Sequence, residues 1–325
     1  MMLPITPDLR QLRYFIAVAE EKHFGHAAAR LSMTQPPLSQ AIRALEETLG
    51  VALFARTKRS VELTQVGADL LPEVRRLLAS AEALRPLAQS LARGEAGVLS
   101  LAFVSTADYG LLPSLLRDFG ARHPRVRLQL TEATSDVQIE ELVAGRIDAG
   151  LVIAPLPPRY TAQLSWLPIA REPLVIAMSS GMAARVEGRG ASAGAEWRDA
   201  PISLRDVADA PLVIFPRRLA PGFYDIIMDC YGVAGLTPRI GQEAIQMQTI
   251  VSLVSAGMGV ALVPQSLRNL RRTGVVYRPL SESVPAIETG LVWRTAEVSP
   301  VLAGFIEIVR AHAATMEAQF AAPRV

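Results

Sequence analysis

The chain has 325 residues, half of them apolar and 20% charged, with a formal net charge of only +2. It is long enough for two or three compact units, and a charge that small excludes binding a polyanion by bulk electrostatics alone. The single cysteine, Cys230, excludes an internal disulfide and fits a reducing compartment. The first ten residues lack a basic stretch followed by an apolar run, and no segment reaches ~18 uninterrupted apolar residues. The expectation is a soluble, cytoplasmic protein.

Residues 8–50 read as helical. Leu9, Leu12, Ile16 and Ala19, with Phe15 beside them, give helix one a buried stripe. A short second helix restarts at Phe24-Gly25-His26, where Ala27, Ala28 and Ala29 allow a close crossing. Ser32-Met33-Thr34 is the turn. Thr34 can cap a third helix whose first turn holds Pro36 and Pro37, where a missing N–H costs little. Leu38, Ile42, Leu45 and Leu49 form its buried face and Gly50 ends it. Gln35, Ser39, Gln40 and Arg43 then share the opposite edge near its N-terminus. They are either ordinary solvated residues or groups that hydrogen-bond to base edges and phosphates, as a recognition helix does.

Residues 51–64 read as a turn and short hairpin, anchored by Leu53-Phe54 and carrying Arg56, Lys58 and Arg59 within four residues. A basic turn beside such a helix can clamp the phosphate backbone, which favours the DNA reading. Along residues 65–92, Leu70, Val74, Leu77, Ala81, Leu84, Ala88 and Leu91 step by four and three, a heptad seam. It suits either a dimerisation helix or one packed on its own chain. Pro72 and Pro86 imply kinks, or a helix beginning near Pro72.

After a hinge at residues 93–97, strands and helices alternate. Strands are expected at 98–104, 126–131 and 149–153, with helices at 108–121 and 135–144. A second set places strands at 212–215, near 240 and at 259–263, with helices at 222–231 and 246–256. Late strands near 275–279 and 288–293 and a terminal helix from Ser299 return to the first set. This βαβαβ order implies an α/β architecture in two lobes, 98–170 with 275–325 and 171–274, each around a parallel sheet. Gly181 to Ala200 reads as a surface loop. Ligands in such sheets bind beyond the carboxyl ends of strands. Ser105 and Thr106, Thr134 and Ser135, Phe215-Pro216-Arg217 and Gln246 would converge there, although the hydroxyls also suit plain helix caps.

The run Leu9-Arg10-Gln11-Leu12-Arg13-Tyr14-Phe15, then Ala27 to Leu31, Thr34 to Ile42, Leu53 to Arg56 and Leu63-Thr64-Gln65-Val66-Gly67 resembles the winged helix-turn-helix of LysR-type transcription regulators. The resemblance implies a winged helix-turn-helix over 8–65, a linker and dimerisation helix over 66–93 and a two-lobed, periplasmic-binding-protein-like effector domain over 98–325. It implies DNA contact by Gln35, Pro36, Ser39 and Gln40, with a wing arginine at Arg59, and assembly of homodimers into a homotetramer. Many relatives carry arginine where Gln40 stands, and glutamine reads adenine better than guanine.

The resemblance continues, more loosely, toward members that answer to aromatic compounds or their carboxylate products. It rests on Phe215-Pro216-Arg217, Pro221 to Asp225 and Gln242 to Val251. Those members hold the effector carboxylate with hydroxyl residues matching Ser105 and Thr134. Some place an arginine after the third strand, where this chain reads Ile153-Ala154-Pro155; its absence favours a monocarboxylate or a neutral aromatic over a dicarboxylate. An exported solute-binding protein would need a signal peptide and would not carry residues 8–64. An enzyme would need a nucleophile elbow, metal-ligand spacing or a phosphate loop, and none is found. No metal or cofactor is expected.

Overall fold

A computed structural model describes residues 6–56, 60–188 and 200–321, in two compact units, Met1–Gln89 and Ser90–Val325. In the first, α1 (Leu9–Glu21) starts from a capping box of Asp8 and Gln11, which satisfies N–H groups that a helix start leaves free. The ring of His23 caps α2 (Phe24–Arg30), its Nδ1 accepting from the Gly25 and His26 N–H groups at 3.0 and 3.3 Å. Thr34 occupies the cap position of α3 (Gln35–Leu49) without making the side-chain bond expected of it, and Gly50 ends the helix at φ +70°. The buried residues of α1 are Leu12, Phe15, Ala17, Val18 and Ala19, while Leu9 is 41% exposed. The stripe is rotated from the expected one because the bulkier Phe15 takes the core, tilted against Phe54 at 5.5 Å. Leu38, Ile42 and Leu45 pack beside it, all fully buried.

β1 (Phe54–Arg56) and β2 (Val61–Leu63) form the expected antiparallel hairpin, Phe54 opposite Leu63. The long helix α4 (Gln65–Ala92) begins well before Pro72 and runs through both prolines; each removes a single N–H from the ladder. Its N-terminal half is anchored, because Val74 and Leu78 are buried in the helix-turn-helix core.

In the second unit, β3 (Ala96–Phe103) begins two residues earlier than expected. Gly94 precedes it at φ +68°, where a Cβ would lie 2.6 Å from the Pro300 backbone, so only glycine fits. The single helix expected over 108–121 is two, α5 (Ser105–Asp108) and α6 (Leu111–Arg122), broken around Tyr109-Gly110. β4 (Arg125–Glu132), α7 (Ser135–Val143) and β5 (Ala149–Ile153) follow close to expectation. Two further strands, β6 (Leu164–Glu172) and β7 (Leu174–Ser179), lie outside the pattern the sequence shows. α8 (Ser180–Glu187) then occupies the start of the expected surface loop, whose residues 189–199 lie outside the described residues.

β8 (Leu212–Ile214), α9 (Pro221–Val233), β9 (Ile240–Glu243), α10 (Met247–Ser255), β10 (Ala261–Pro264), β11 (Val275–Pro279), β12 (Ile287–Arg294) and α11 (Pro300–Ala321) complete the chain. The first lobe carries a five-stranded sheet of order β4-β3-β5-β12-β6, parallel through β4, β3 and β5 and antiparallel at β12 and β6. The second carries β10-β7-β11, antiparallel, and the parallel pair β8-β9. A bridge between Leu212 and Val260 links the two sets. The second lobe is therefore a mixed sheet rather than the parallel one expected.

The chain leaves the first lobe at Pro173, between β6 and β7. It returns between Pro279 and Ile287, not near Gly274, because β11 pairs along the whole of β7. Leu99, Leu101, Leu115, Phe119 and Phe305 fill one lobe core, and Ile176, Val213, Ile227, Val251 and Val263 fill the other. Among the described residues no helix is long and apolar enough to cross a membrane.

Candidate functional site

Two regions present functional groups, one in each unit. On α3 the apolar positions Leu38, Ile42 and Leu45 are fully buried, which turns the other face outward. Gln35, Pro36, Gln40 and Arg43 are exposed and Ser39 is half-buried, so the polar edge lies on the surface of its unit. Nearby cations are already committed. Arg30 and Arg75 both reach Glu20 at 2.8 Å, and their hydrogen bonds, Arg75 first, hold its carboxyl below the ordinary glutamate range. Arg43 has no acidic partner among the described residues. Of the three hairpin cations, Arg56 lies on β1 with its side chain undescribed, and Lys58 and Arg59 lie outside the described residues.

The hairpin is tied to α3 by a residue that periodicity does not single out. The Leu53 and Phe54 N–H groups donate to Glu46 Oε1 at 2.9 and 3.1 Å. Thr64 completes the joint, its hydroxyl donating to the Ala52 carbonyl at 2.8 Å and accepting the Gly67 N–H at 3.0 Å. Gly67 is obligatory here, since a Cβ would meet the Leu53 carbonyl oxygen at 2.2 Å.

In the second unit a cavity of about 220 Å³ opens beyond the carboxyl ends of β3, β4 and β5 and is bounded from the other lobe by Phe215 and residues 219–223 and 245–247. Of the residues expected to converge, Ser105, Thr106, Thr134, Ser135, Phe215 and Gln246 line it. Pro216 and Arg217 do not. The Arg217 guanidinium turns instead onto the Asp225 carboxylate, at 2.8 and 3.0 Å, and holds that carboxyl below its usual range. Asp225 lies eight residues on, in the second turn of α9 (Pro221–Val233), within reach of an arginine that just precedes that helix.

The hydroxyls are not simple helix caps. Thr134 and Gln246 stand at the cap positions of α7 and α10 without capping bonds. Ser135 is engaged, its Oγ accepting the Ile153 N–H at 3.1 Å and so fixing the end of β5 to α7. The Oγ1 of Thr106 and the Oδ1 of Asp136 are buried with no hydrogen-bond partner. Phe215 stacks on Phe223 with centroids 4.9 Å apart. That pair, with Ile139, Leu219 and Met247, makes most of the wall apolar. Sequence reasoning missed Glu132, Asp136, Pro155 and Phe223, although Asp136 sits one residue past the predicted Thr134-Ser135 pair. Pro155 lines the cavity where an arginine would have stood; among the described residues the lining holds no arginine, lysine or histidine.

A second cavity, of about 500 Å³, lies where the lobes join, and Thr106 lines both. Here the Ser266 N–H and hydroxyl donate to the Glu172 carboxylate at 2.8 and 3.2 Å. Burial nevertheless pushes the Glu172 carboxyl above the ordinary glutamate range. Asn269 crosses between lobes to the Tyr109 carbonyl at 2.7 Å.

Residues 9–68 match the family description "Bacterial regulatory helix-turn-helix protein, lysR family", and residues 92–314 match "LysR substrate binding domain". The chain is 50% identical to the HTH-type transcriptional regulator IlvR of Caulobacter vibrioides over 93% of its length and 97% of that protein. It is 39% identical to the HTH-type transcriptional regulator AlsR of Bacillus subtilis, over 93% of this chain and 95% of that one. The crystal structure of full-length CbnR with its target DNA superposes with a TM-score of 0.72 at 32% identity, covering 94% of this chain and 99% of CbnR.

Proposed function

This chain belongs to the LysR family of DNA-binding transcriptional regulators, not to a family of enzymes, and on that premise we propose how its two units divide the work. Gln35, Pro36, Ser39, Gln40 and Arg43 read base edges and phosphates in the major groove of operator DNA, and Arg56, Lys58 and Arg59 grip the adjoining backbone. The α4 helix pairs two copies along its seam, and dimers assemble into a tetramer on promoter DNA in the cytoplasm. A small monocarboxylate or aromatic effector enters the 220 Å³ cavity and biases the arrangement of the subunits.

The observation that carries the effector reading is that this cavity takes its walls from both lobes. A ligand touching one lobe would bind every lobe arrangement alike and shift nothing. The seam gives the oligomer reading its support. Leu77 and Leu84 are 51% and 63% exposed, and Leu91 is exposed too, so the distal apolar stripe of α4 presents surface that a second copy would bury.

The test is Ser105→Ala, assayed by anisotropy on the labelled upstream promoter. Operator affinity without effector should be unchanged, while the effector-dependent change in affinity or footprint is lost. Equal loss of both would remove Ser105 from the effector site. A wild-type affinity that did not fall steeply with salt would count against the phosphate contacts.

A further inference from the structure

The polar groups of the effector cavity do not match those a simple carboxylic acid needs. Glu132 and Asp136 both line it, and among the described residues no arginine, lysine or histidine does. A carboxylate brought alone into this space would face two like charges with no fixed cation to offset them. Two residues of the lining carry a buried atom with no hydrogen-bond partner: Asp136 at Oδ1, an acceptor, and Thr106, only 5% exposed, at Oγ1.

Donors lie beside these acceptors. The first turn of α7, nine residues long, begins at Ser135 after an uncapped Thr134 and offers N–H groups to an anion, with the Ser105 hydroxyl also on the lining. Asp136 stands in that same turn. Donors for a carboxylate and an acceptor for an ammonium are therefore neighbours within one helical turn. That is the pattern of a ligand carrying both charges on one carbon.

Most of the remaining wall, including Ile139, Phe215, Leu219, Phe223 and Met247, is apolar. An apolar cavity of ~150 Å³ takes up benzene, so a volume of about 220 Å³ leaves room for one ring or branched chain plus a compact polar head. We infer that the effector is an apolar α-amino acid, its carboxylate at Ser105, Thr134 and the start of α7 and its ammonium on Asp136. The inference rests on the reading of this cavity as the effector site.

The test uses the full chain, by calorimetric titration and thermal shift. The probes are L-leucine and L-phenylalanine, their deaminated analogues 4-methylpentanoate and 3-phenylpropanoate, and the amines 3-methylbutylamine and 2-phenylethylamine. At least one amino acid should bind tighter than both of its truncated analogues by about ten- to a hundredfold, the cost of losing one hydrogen bond to a charged group. Asp136→Asn should weaken that amino acid by a similar factor and leave its deaminated analogue unweakened, with the circular dichroism spectrum unchanged. If Asp136→Asn fails to fold, the ligand series on the native chain decides alone. A deaminated acid that binds the native chain as well as its amino acid overturns the inference but leaves the cavity an effector site. Absence of binding by all six probes overturns the inference, and Ser105→Ala then tests the cavity by itself.

Discussion

Glu46→Ala separates the reading helix from the hairpin beside it. Its carboxylate accepts two N–H groups, from Leu53 and Phe54, at 2.9 and 3.1 Å, and both donors belong to residues at most 5% exposed. Truncation leaves both unsatisfied, at about 1–3 kcal/mol for each orphaned buried donor. The two losses share one site and are not additive, so ~2–4 kcal/mol is the expected destabilisation of the hairpin root. Glu46→Gln keeps an acceptor in the same place and should cost about half as much or less. The functional consequence follows from what the hairpin carries. Arg56, Lys58 and Arg59 can supply up to three phosphate contacts, each worth about 0.9 in the slope of log affinity against log salt. Anisotropy on promoter DNA across a salt series should therefore show Glu46→Ala with weaker affinity and a slope shallower by about 1–3, and Glu46→Gln close to the native chain. A Glu46→Ala variant with an unchanged slope would refute the claim that this carboxylate positions the basic turn on DNA.

Two more perturbations address assembly and the join between lobes. Leu84→Glu, on the uncovered part of α4, should leave the circular dichroism unchanged but weaken dimerisation. At about 1.5–3 kcal/mol of apolar burial lost per copy, the effect is ~10²–10⁴-fold. Light scattering after gel filtration should then move toward the single-chain mass of 35.0 kDa, and an undiminished oligomer would exclude the seam. Glu172, whose carboxyl burial holds above its ordinary range, binds its proton more tightly folded than unfolded. Its contribution is full below the ordinary glutamate value of about 4.3 and is lost as pH rises through the raised folded value. Glu172→Gln should flatten that decline, so calorimetric Tm relative to the native chain should rise between pH 4.5 and 7.5; a constant offset would place the shift elsewhere.

Periodicity carried the helices because one face of each is buried in a contiguous core. Leu38, Ile42 and Leu45 announce α3, and Leu111, Leu115 and Phe119 announce α6 and are all buried. Strands declared themselves less evenly. β6 holds Pro168 and lies at an edge of its sheet, mostly half-buried, so neither alternation nor a continuous apolar run marks it. β7 is fully apolar over Leu174–Met178 but follows directly on β6 with only Pro173 between, and the pair reads as one irregular stretch. The cavity was half visible by the same logic. Residues just past strand ends, such as Ser105, Thr134 and Phe215, follow from topology. Arg217 does not, because its destination is set by a carboxylate one helix turn into α9, a competition no spacing rule weighs. Asp136 is the mirror case, a carboxylate that topology places at the cavity but whose oxygen loses its partners only through the packing of the fold.

The arrangement of the cavity also limits how an effector can act. Contacts to Ser105, Thr134 and Asp136 come from the first lobe alone and persist whatever the second lobe does. Contacts to Phe215, Phe223, Gln246 and Met247 exist only while the second lobe closes the space. Only this second group gives a ligand unequal affinity for two lobe arrangements, and only unequal affinity moves an equilibrium. Moving a population from 1:99 to 99:1 needs about 5.5 kcal/mol of such difference, which is ~2–3 well-buried apolar side chains. Phe215, Phe223 and Met247 are each only 4–5% exposed, so an effector covering their remaining faces shifts the population by less than that. First-lobe residues therefore govern which molecule binds, and second-lobe residues govern whether its binding is transmitted.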